Sequence, residues 1–339
     1  MSGGIFLAIS LKRAYLHSRI WRSRTNYYVL RAISLNVILA RSAKKPQRRR
    51  VNWTIGRSQL DCKLYLSTVR RQNRHQPSAK YHHKPVKQPS KPPDFIIIGV
   101  QKGGTTSLYN YLIQHPQIAP AAQKEIHYFD LNFHQTPDWY YSQFPQPQSG
   151  EFQLTGEASP YYIFHPRVPE RIHNFNPKIK IIALLRNPVE RAISHYHYYI
   201  KIGYESLSLE SAIACEAERL QGEIEKLLTS PTYESYNHRH YTYLTRGIYA
   251  DQLPAWMQLF PKSQLLILKS EDLYANPCGT YNTVLEFLDL PPHQLETYEK
   301  YNSNQYQPVS ETVYEQLKAY YRSHNQRLAQ MCDRDFGWD

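Results

Sequence analysis

Cysteine, methionine and glycine are scarce in these 339 residues, at 4, 3 and 13. The four cysteines, Cys62, Cys215, Cys278 and Cys332, stand far apart and form no CxxC pair. That excludes a disulfide scaffold and removes any case for a structural zinc ribbon or a thioredoxin-type dithiol; free thiols are the expectation. No internal repeat is present. A long apolar run is missing too: Tyr27 to Ala40 is only 14 residues and contains Arg31, short of the roughly 20 a membrane helix needs. Residues 4–11 make a poor signal-peptide core. Acidic residues are almost absent from residues 1–91, where Asp61 stands alone against 21 Lys and Arg, whereas residues 92–339 hold 27 acids and 20 Lys and Arg. The formal charge of +13 therefore comes from the leading segment, and so does any argument for nucleic acid or a membrane surface.

What is present is ample for folding. Hydrophobic residues make up 41% and aromatics 13%, which excludes a wholly disordered chain, and the length suffices for one large core with an appendage. Gln76 to Pro93 is rich in Pro, His and Lys, as a linker is. We divide the chain near Pro92 into a basic N-terminal extension and linker, 1–91, and a main domain, 92–339. For the extension the readings are a solvated tail or membrane-surface contact of residues 5–50 through a basic amphipathic helix. Nucleic-acid binding by Lys44, Lys45 and Arg48 to Arg50 is the least expected.

In the main domain, Phe95 to Val100 reads as a buried strand, Gln101 to Thr106 as a tight turn, and Ser107 to Gln114 as a helix ending before Pro116. Ile179 to Leu185 repeats the pattern, with Arg186-Asn187-Pro188 as the turn and a helix from Val189 to about Tyr199. Gln264 to Leu268 is a third strand. Helical spacing covers 208–228, 249–260 and 311–331. Buried strands alternating with helices predict an α/β fold with a mainly parallel, P-loop-like central sheet flanked by helices. Ligands of such sheets lie beyond the carboxyl ends of strands, where both Lys102 and Arg186 fall.

Lys102, Gly103, Gly104, Thr105, Thr106 and Ser107 supply a cation, two permissive backbone positions and three hydroxyls at a helix start, the parts of an anion cradle. The loop fails the nucleoside triphosphatase pattern G-x-x-x-x-G-K-S/T, because Lys102 precedes the two glycines and Thr105 follows them. Arg186 offers a fork of donors for a phosphate or, alternatively, an ion pair with Glu190. Ser194 lies about two helical turns beyond it. Arg246-Gly247, before another helix, is placed to close over the same ligand. No His, Cys or acid cluster has metal-ligand spacing.

Phe95 to Leu108 resembles the 5′-phosphosulfate loop of sulfotransferases that use 3′-phosphoadenosine 5′-phosphosulfate (PAPS), and Leu185 to Tyr196 resembles their 3′-phosphate motif. The nearest likeness is to the heparan sulfate 3-O- and N-sulfotransferase branch. It extends to Lys124-Glu125-Ile126-His127-Tyr128-Phe129-Asp130, to Gly156-Glu157-Ala158-Ser159-Pro160-Tyr161-Tyr162, to Arg246-Gly247-Ile248-Tyr249 and to Arg334-Asp335-Phe336-Gly337-Trp338, covering roughly residues 94–339. Two positions depart from it. Ala158 stands where that branch has a lysine, and residues 292–310 hold one Lys, Lys300, and no Cys or Arg, in place of a cysteine-bridged basic hairpin. A looser loop with Tyr301, Asn302 and Asn304 would take over its closing role.

The resemblance implies transfer of a sulfuryl group from PAPS to an acceptor hydroxyl, with 3′,5′-adenosine bisphosphate as the other product and no metal required. It implies Lys102 as the cation at the leaving oxygen, Thr105, Thr106 and Ser107 at the 5′-phosphate, and Arg186 with Ser194, assisted by Arg246 and Gly247, at the 3′-phosphate. Glu125 is the implied general base, His127 its rival, and Lys124 a partner for the sulfonate. A carbohydrate is the expected acceptor, although the negative main domain disfavours a polysulfated one. The alternatives are a phenolic, lipid or secondary-metabolite acceptor and, in another class, a nucleotide kinase-like P-loop protein. Tyr140, Tyr141, Tyr161, Tyr162, Tyr196, Tyr198 and Tyr199 lie near these motifs as candidate acceptor contacts. A cytoplasmic location is expected, with Golgi or membrane association the alternative that the resemblance carries.

Overall fold

Five parallel strands form the sheet of the computed structural model, which describes residues 92–145, 153–301 and 308–338. The basic extension 1–91, with its proposed membrane-surface stretch, lies outside the described residues, as do Asn302 and Asn304. The strands are β1 (Phe95–Gly99), β2 (Ile118–Pro120), β3 (Leu154–Ala158), β4 (Lys180–Leu185) and β5 (Leu265–Lys269). Their spatial order is β2-β3-β1-β4-β5. β1 is central, pairing with β3 through Ile97 and Ala158 and with β4 through Gly99 and Ala183.

The three apolar runs become β1, β4 and β5 because alternate side chains have a core on each side. Ile96, Ile98, Ile181, Ala183 and Leu185 enter one cluster, and Phe95, Ile97, Ile182, Leu184 and Leu268 the other. Burial on both faces is what turns a strand into a continuous hydrophobic run. Each fully buried Ile or Leu contributes about 1.5–3 kcal/mol, so the centre of the sheet is the best-anchored part of the fold.

Helices cover both faces. The first face carries α3 (Val168–Phe175) and α8 (Tyr249–Leu259), with Phe336 and Trp338 packed beside them. The second carries α1 (Thr105–Leu112) and α10 (Pro277–Phe287). A third cluster joins α4 (Pro188–Lys201), α5 (Leu209–Arg219) and the N-terminal half of α11 (Glu311–Cys332). Short helices α2 (Pro137–Tyr141), α6 (Glu223–Thr229), α7 (Tyr236–His240) and α9 (Ser270–Ala275) and a single 3-10 turn, Thr245–Gly247, complete the set among the described residues.

Several boundaries differ from the sequence reading for local reasons. α1 begins at Thr105, because Gly104 takes a left-handed φ of 91° and caps it. The helical stretch 208–228 is two helices, broken where Gly222 adopts a φ of 74°. β2 and β3 were not anticipated: Leu154–Ala158 reads LTGEA and contains a glycine and a buried carboxylate. Cys215, Cys278 and Cys332 are free thiols.

Candidate active site

The carboxyl ends of β3, β1 and β4 lie side by side, and each carries part of the predicted constellation. After β1 the chain closes on itself through Val100 N–H to Leu184 O, 2.9 Å, and Gly103 N–H to Val100 O, 2.9 Å. Gly103 is required there, since a Cβ would come within 2.7 Å of Val100 Cγ2 and 2.8 Å of the Leu184 carbonyl. The Ser270 hydroxyl donates to Gly103 O at 2.7 Å and braces the loop from the end of β5. No side chain caps the amino end of α1, where the helix dipole favours an anion. Thr105 and Ser107 are buried at this end, and Ser107 Oγ accepts from the Tyr301 amide at 3.1 Å. The main chain of Tyr301 thus reaches the start of α1.

Lys102 sits at a φ of 69° with its ammonium 4.5 Å above the ring of Tyr198. Burial lowers its pKa, and the neighbouring charges of Arg186 and Lys201 lower it further. Such a cation gains from any anion brought beside it.

Arg186 follows β4 directly. Its Nη1 donates to Lys102 O at 2.9 Å, and its Nη2 lies 3.6 Å from Glu190 Oε2. The ion pair with Glu190 and the approach to the Lys102 loop therefore coexist. The turn is fixed by three groups: Tyr249 donates to Arg186 O at 2.8 Å, Glu271 accepts from Asn187 N–H at 2.8 Å, and Asn187 caps α4 through the amides of Val189 and Glu190. Ser194 lies in α4, largely buried.

Arg246 is placed behind the loop. It is 1% exposed; its guanidinium donates to Gln101 Oε1 and to the carbonyls of His238 and Arg239. It meets the residue before Lys102 and faces no open surface. Gly247 packs under Tyr321, whose hydroxyl would lie 2.7 Å from an added Cβ.

The Glu125 segment hangs from β3 through Glu125 N–H to Ala158 O, 3.1 Å. Glu125 and His127 both take left-handed backbone angles, with φ of 62° and 55°, a conformation that costs a non-glycine residue about 1–3 kcal/mol. Glu125 Oε1 lies 2.8 Å from Lys124 Nζ and its Oε2 3.5 Å from His127 Nε2. On the other side, His127 Nδ1 meets Asp130 Oδ2 at 2.8 Å. Burial alone would raise the Glu125 carboxyl, but the His127 hydrogen bond and the Lys124 charge outweigh it and hold the group down to about 2. Burial alone would lower His127, but Asp130 and Glu125 bring it up to about 9. Near neutrality the site therefore presents an ionised carboxylate, paired with Lys124 and His127, and a charged imidazole.

Among the described residues, no group of three or more His, Cys, Asp and Glu is arranged to hold a metal ion, and no helix is long and apolar enough to cross a membrane.

The model of the sulfotransferase domain family matches residues 92–336. The chain belongs to the sulfotransferase domain family. Among its relatives, mouse heparan sulfate glucosamine 3-O-sulfotransferase 3B1 is 31% identical over 73% of this chain and 65% of its own length. Mouse heparan sulfate glucosamine 3-O-sulfotransferase 6 is 29% identical, over 73% and 74%. The membrane-associated sulfotransferase kil1 of Dictyostelium discoideum is 29% identical, over 73% and 66%. The crystal structure of a sulfotransferase from Alicyclobacillus acidocaldarius superposes with a TM-score of 0.61 at 27% identity, covering 73% of this chain and 98% of that one. The chain thus spans about two thirds to three quarters of these curated relatives.

Within this sulfotransferase domain, reading the sequence left Asp130, Gln101 and Ser270 without roles. Asp130 could have been noted from its i+3 spacing to His127; Gln101 and Ser270 carry no signal, since both act through the fold. Of the candidate acceptor tyrosines, Tyr140, Tyr161, Tyr162 and Tyr199 are buried. Tyr198 is exposed and lies beside Lys102.

Proposed function

We propose that residues 92–339 transfer the sulfuryl group of PAPS to an acceptor hydroxyl, in the first instance of a carbohydrate. The observation that carries this is the adjacency of two strand-end cations, Lys102 and Arg186, at a helix start capped by a glycine and by no side chain. One nucleotide with phosphates at both ends of its ribose fits that pair. Metal-dependent triphosphate binding finds less support, because no lysine follows Gly104.

The donor brings the sulfuryl group and an adenosine bisphosphate leaving group. Around it, α1 and the hydroxyls of Thr105, Thr106 and Ser107 hold the 5′-phosphate, and Arg186 with Ser194 holds the 3′-phosphate. Arg246, bonded to Gln101, braces the Lys102 loop from behind rather than reaching the 3′-phosphate, and Gly247 lets Tyr321 pack close by. As the acceptor oxygen bonds to sulfur and the sulfur–oxygen bond to the 5′-phosphate breaks, Lys102 offsets the charge growing on the leaving oxygen. Glu125 takes the acceptor proton. His127, already charged and backed by Asp130, orients Glu125. Lys124 is shared between Glu125 and the sulfonate; drawing it to the sulfonate strips the carboxylate of one partner and raises its basicity.

A second acceptor class, phenolic, lipid or secondary metabolite, is favoured by one observation, the exposed ring of Tyr198 beside Lys102. The test is transfer from labelled PAPS, with a metal chelator present, to heparan sulfate, a neutral glycoside and p-nitrophenol. Transfer to a sugar hydroxyl supports the proposal. Transfer to p-nitrophenol alone selects the second class. Failure with all three, together with no binding of 3′,5′-adenosine bisphosphate, contradicts both.

A further inference from the structure

A buried acid stands behind the Glu125 segment with no assigned part in the reaction. Glu157, on β3, is fully buried and lies near no Lys or Arg with which it forms an ion pair among the described residues. Three hydroxyls donate to it instead: Tyr140 at 2.6 Å and Tyr162 at 3.2 Å to Oε1, and Ser159 at 2.7 Å to Oε2. Two of the three also accept from the Glu125 segment, Ser159 Oγ from His127 N–H and Tyr162 Oη from Phe129 N–H, each at 3.3 Å.

A hydroxyl has one proton and two lone pairs. With the Ser159 and Tyr162 protons committed to Glu157, their lone pairs are the part left to face the two amides. A carboxylate accepts on both oxygens, so it can set both hydroxyls at once. A neutral amide accepts on one side only, and at least one hydroxyl would then lose its acceptor. The segment so held contains the two left-handed residues, Glu125 and His127, whose backbone must be over-determined to persist.

We infer that Glu157 is a positioning residue that, through Ser159 and Tyr162, sets the polarity of the hydrogen bonds fixing His127 and with it Glu125. The inference rests on the proposed roles of Glu125 and His127. It separates Ser159 and Tyr162, which touch the segment, from Tyr140, which binds the same carboxylate and touches none of its amides.

The test uses the full chain. Ser159→Ala, Tyr162→Phe, Glu157→Gln and Tyr140→Phe are each assayed for kcat and for KM of PAPS, and the His127 ring protons are titrated by NMR, assigned by their loss in His127→Gln. Ser159→Ala is expected to lower kcat about 100-fold, the scale of an ångström-level misplacement of a reacting group, with the KM of PAPS within about twofold. Tyr162→Phe and Glu157→Gln share that signature. Tyr140→Phe leaves kcat within about twofold of the parent while lowering thermal stability. The His127 midpoint falls in Ser159→Ala, a substitution that changes no charge. Should Glu157→Gln fail to fold, Ser159→Ala and Tyr162→Phe carry the test. Equal losses of kcat in Tyr140→Phe and Ser159→Ala, or an unmoved His127 midpoint in Ser159→Ala, would overturn the inference. If the parent protein transfers sulfate to no acceptor, the functional reading fails, and the NMR titration still decides the positioning role.

Discussion

The guanidinium of Arg186 donates to the main-chain carbonyl of Lys102 across 2.9 Å. The ends of β4 and β1 are thereby joined, and two cations 84 residues apart in sequence are brought near enough for one to perturb the other. Their mutual repulsion, added to burial, lowers the Lys102 pKa, so an anion between them relieves both charges.

Lys102→Ala is expected to lower kcat by about 100- to 1,000-fold, the usual loss when one group serving a developing negative charge is removed. The melting temperature should barely move, because the ammonium rests over Tyr198 and forms no ion pair among the described residues. Single-turnover kinetics and a thermal melt check this; an unchanged kcat would mean that Lys102 does not serve the leaving oxygen.

Gly103→Ala is expected to destabilise the fold by about 1–3 kcal/mol, as overpacking does, and to weaken nucleotide binding. The added methyl meets Val100 Cγ2 at 2.7 Å and the Leu184 carbonyl at 2.8 Å, so the loop must shift away from Val100 and the end of β4. Denaturant unfolding and calorimetric titration with 3′,5′-adenosine bisphosphate report the two effects; a variant as stable and as tight as the parent would show that the loop has room.

The pH dependence follows from Glu125 and His127. The environment holding Glu125 at about 2, against an ordinary 4.5, stabilises the fold above pH 4.5, and this is lost as pH falls through about 2. The environment raising His127 from 6.5 to about 9 stabilises the fold below pH 6.5, and this is lost as pH rises through about 9. The value of kcat/KM for the free enzyme should therefore be level across neutrality and fall above a pH of about 9. A fall centred near 6.5 would contradict the charged state of His127.

Asp130→Asn removes the carboxylate behind His127 and should draw that alkaline limb toward neutrality, with nucleotide affinity unaltered. A pH–rate profile of the variant beside the parent tests this. An unmoved limb would place the titrating group elsewhere.

The strand-turn-helix units carrying Lys102 and Arg186 were legible because burial on both faces writes β1 and β4 as unbroken apolar runs, and because a glycine pair and an Asn-Pro turn mark the ends of those runs. β3 was not legible. Its Glu157 is buried among hydroxyls supplied by Tyr140, Ser159 and Tyr162, and nothing local in LTGEA announces donors that arrive from α2 and the following turn. Arg246 shows the opposite case. Its motif marks it for a ligand, yet its guanidinium bonds the Gln101 side chain and two carbonyls and lies over the rings of Tyr161 and Phe164, so the motif locates the residue without giving the direction of its side chain. Tyr198 differs from its buried neighbour Tyr199 only by its place around the turn of α4, which composition cannot register.

The most direct test of the account is the affinity for 3′,5′-adenosine bisphosphate relative to adenosine 5′-monophosphate, by calorimetry, in the parent and in Arg186→Ala. The parent should prefer the bisphosphate, and Arg186→Ala should lose about 10- to 100-fold on the bisphosphate, the worth of a charge-assisted contact, with the monophosphate nearly unchanged. An equal preference for the bisphosphate in both proteins would contradict a single nucleotide gripped at one end by the Lys102 loop and at the other by Arg186.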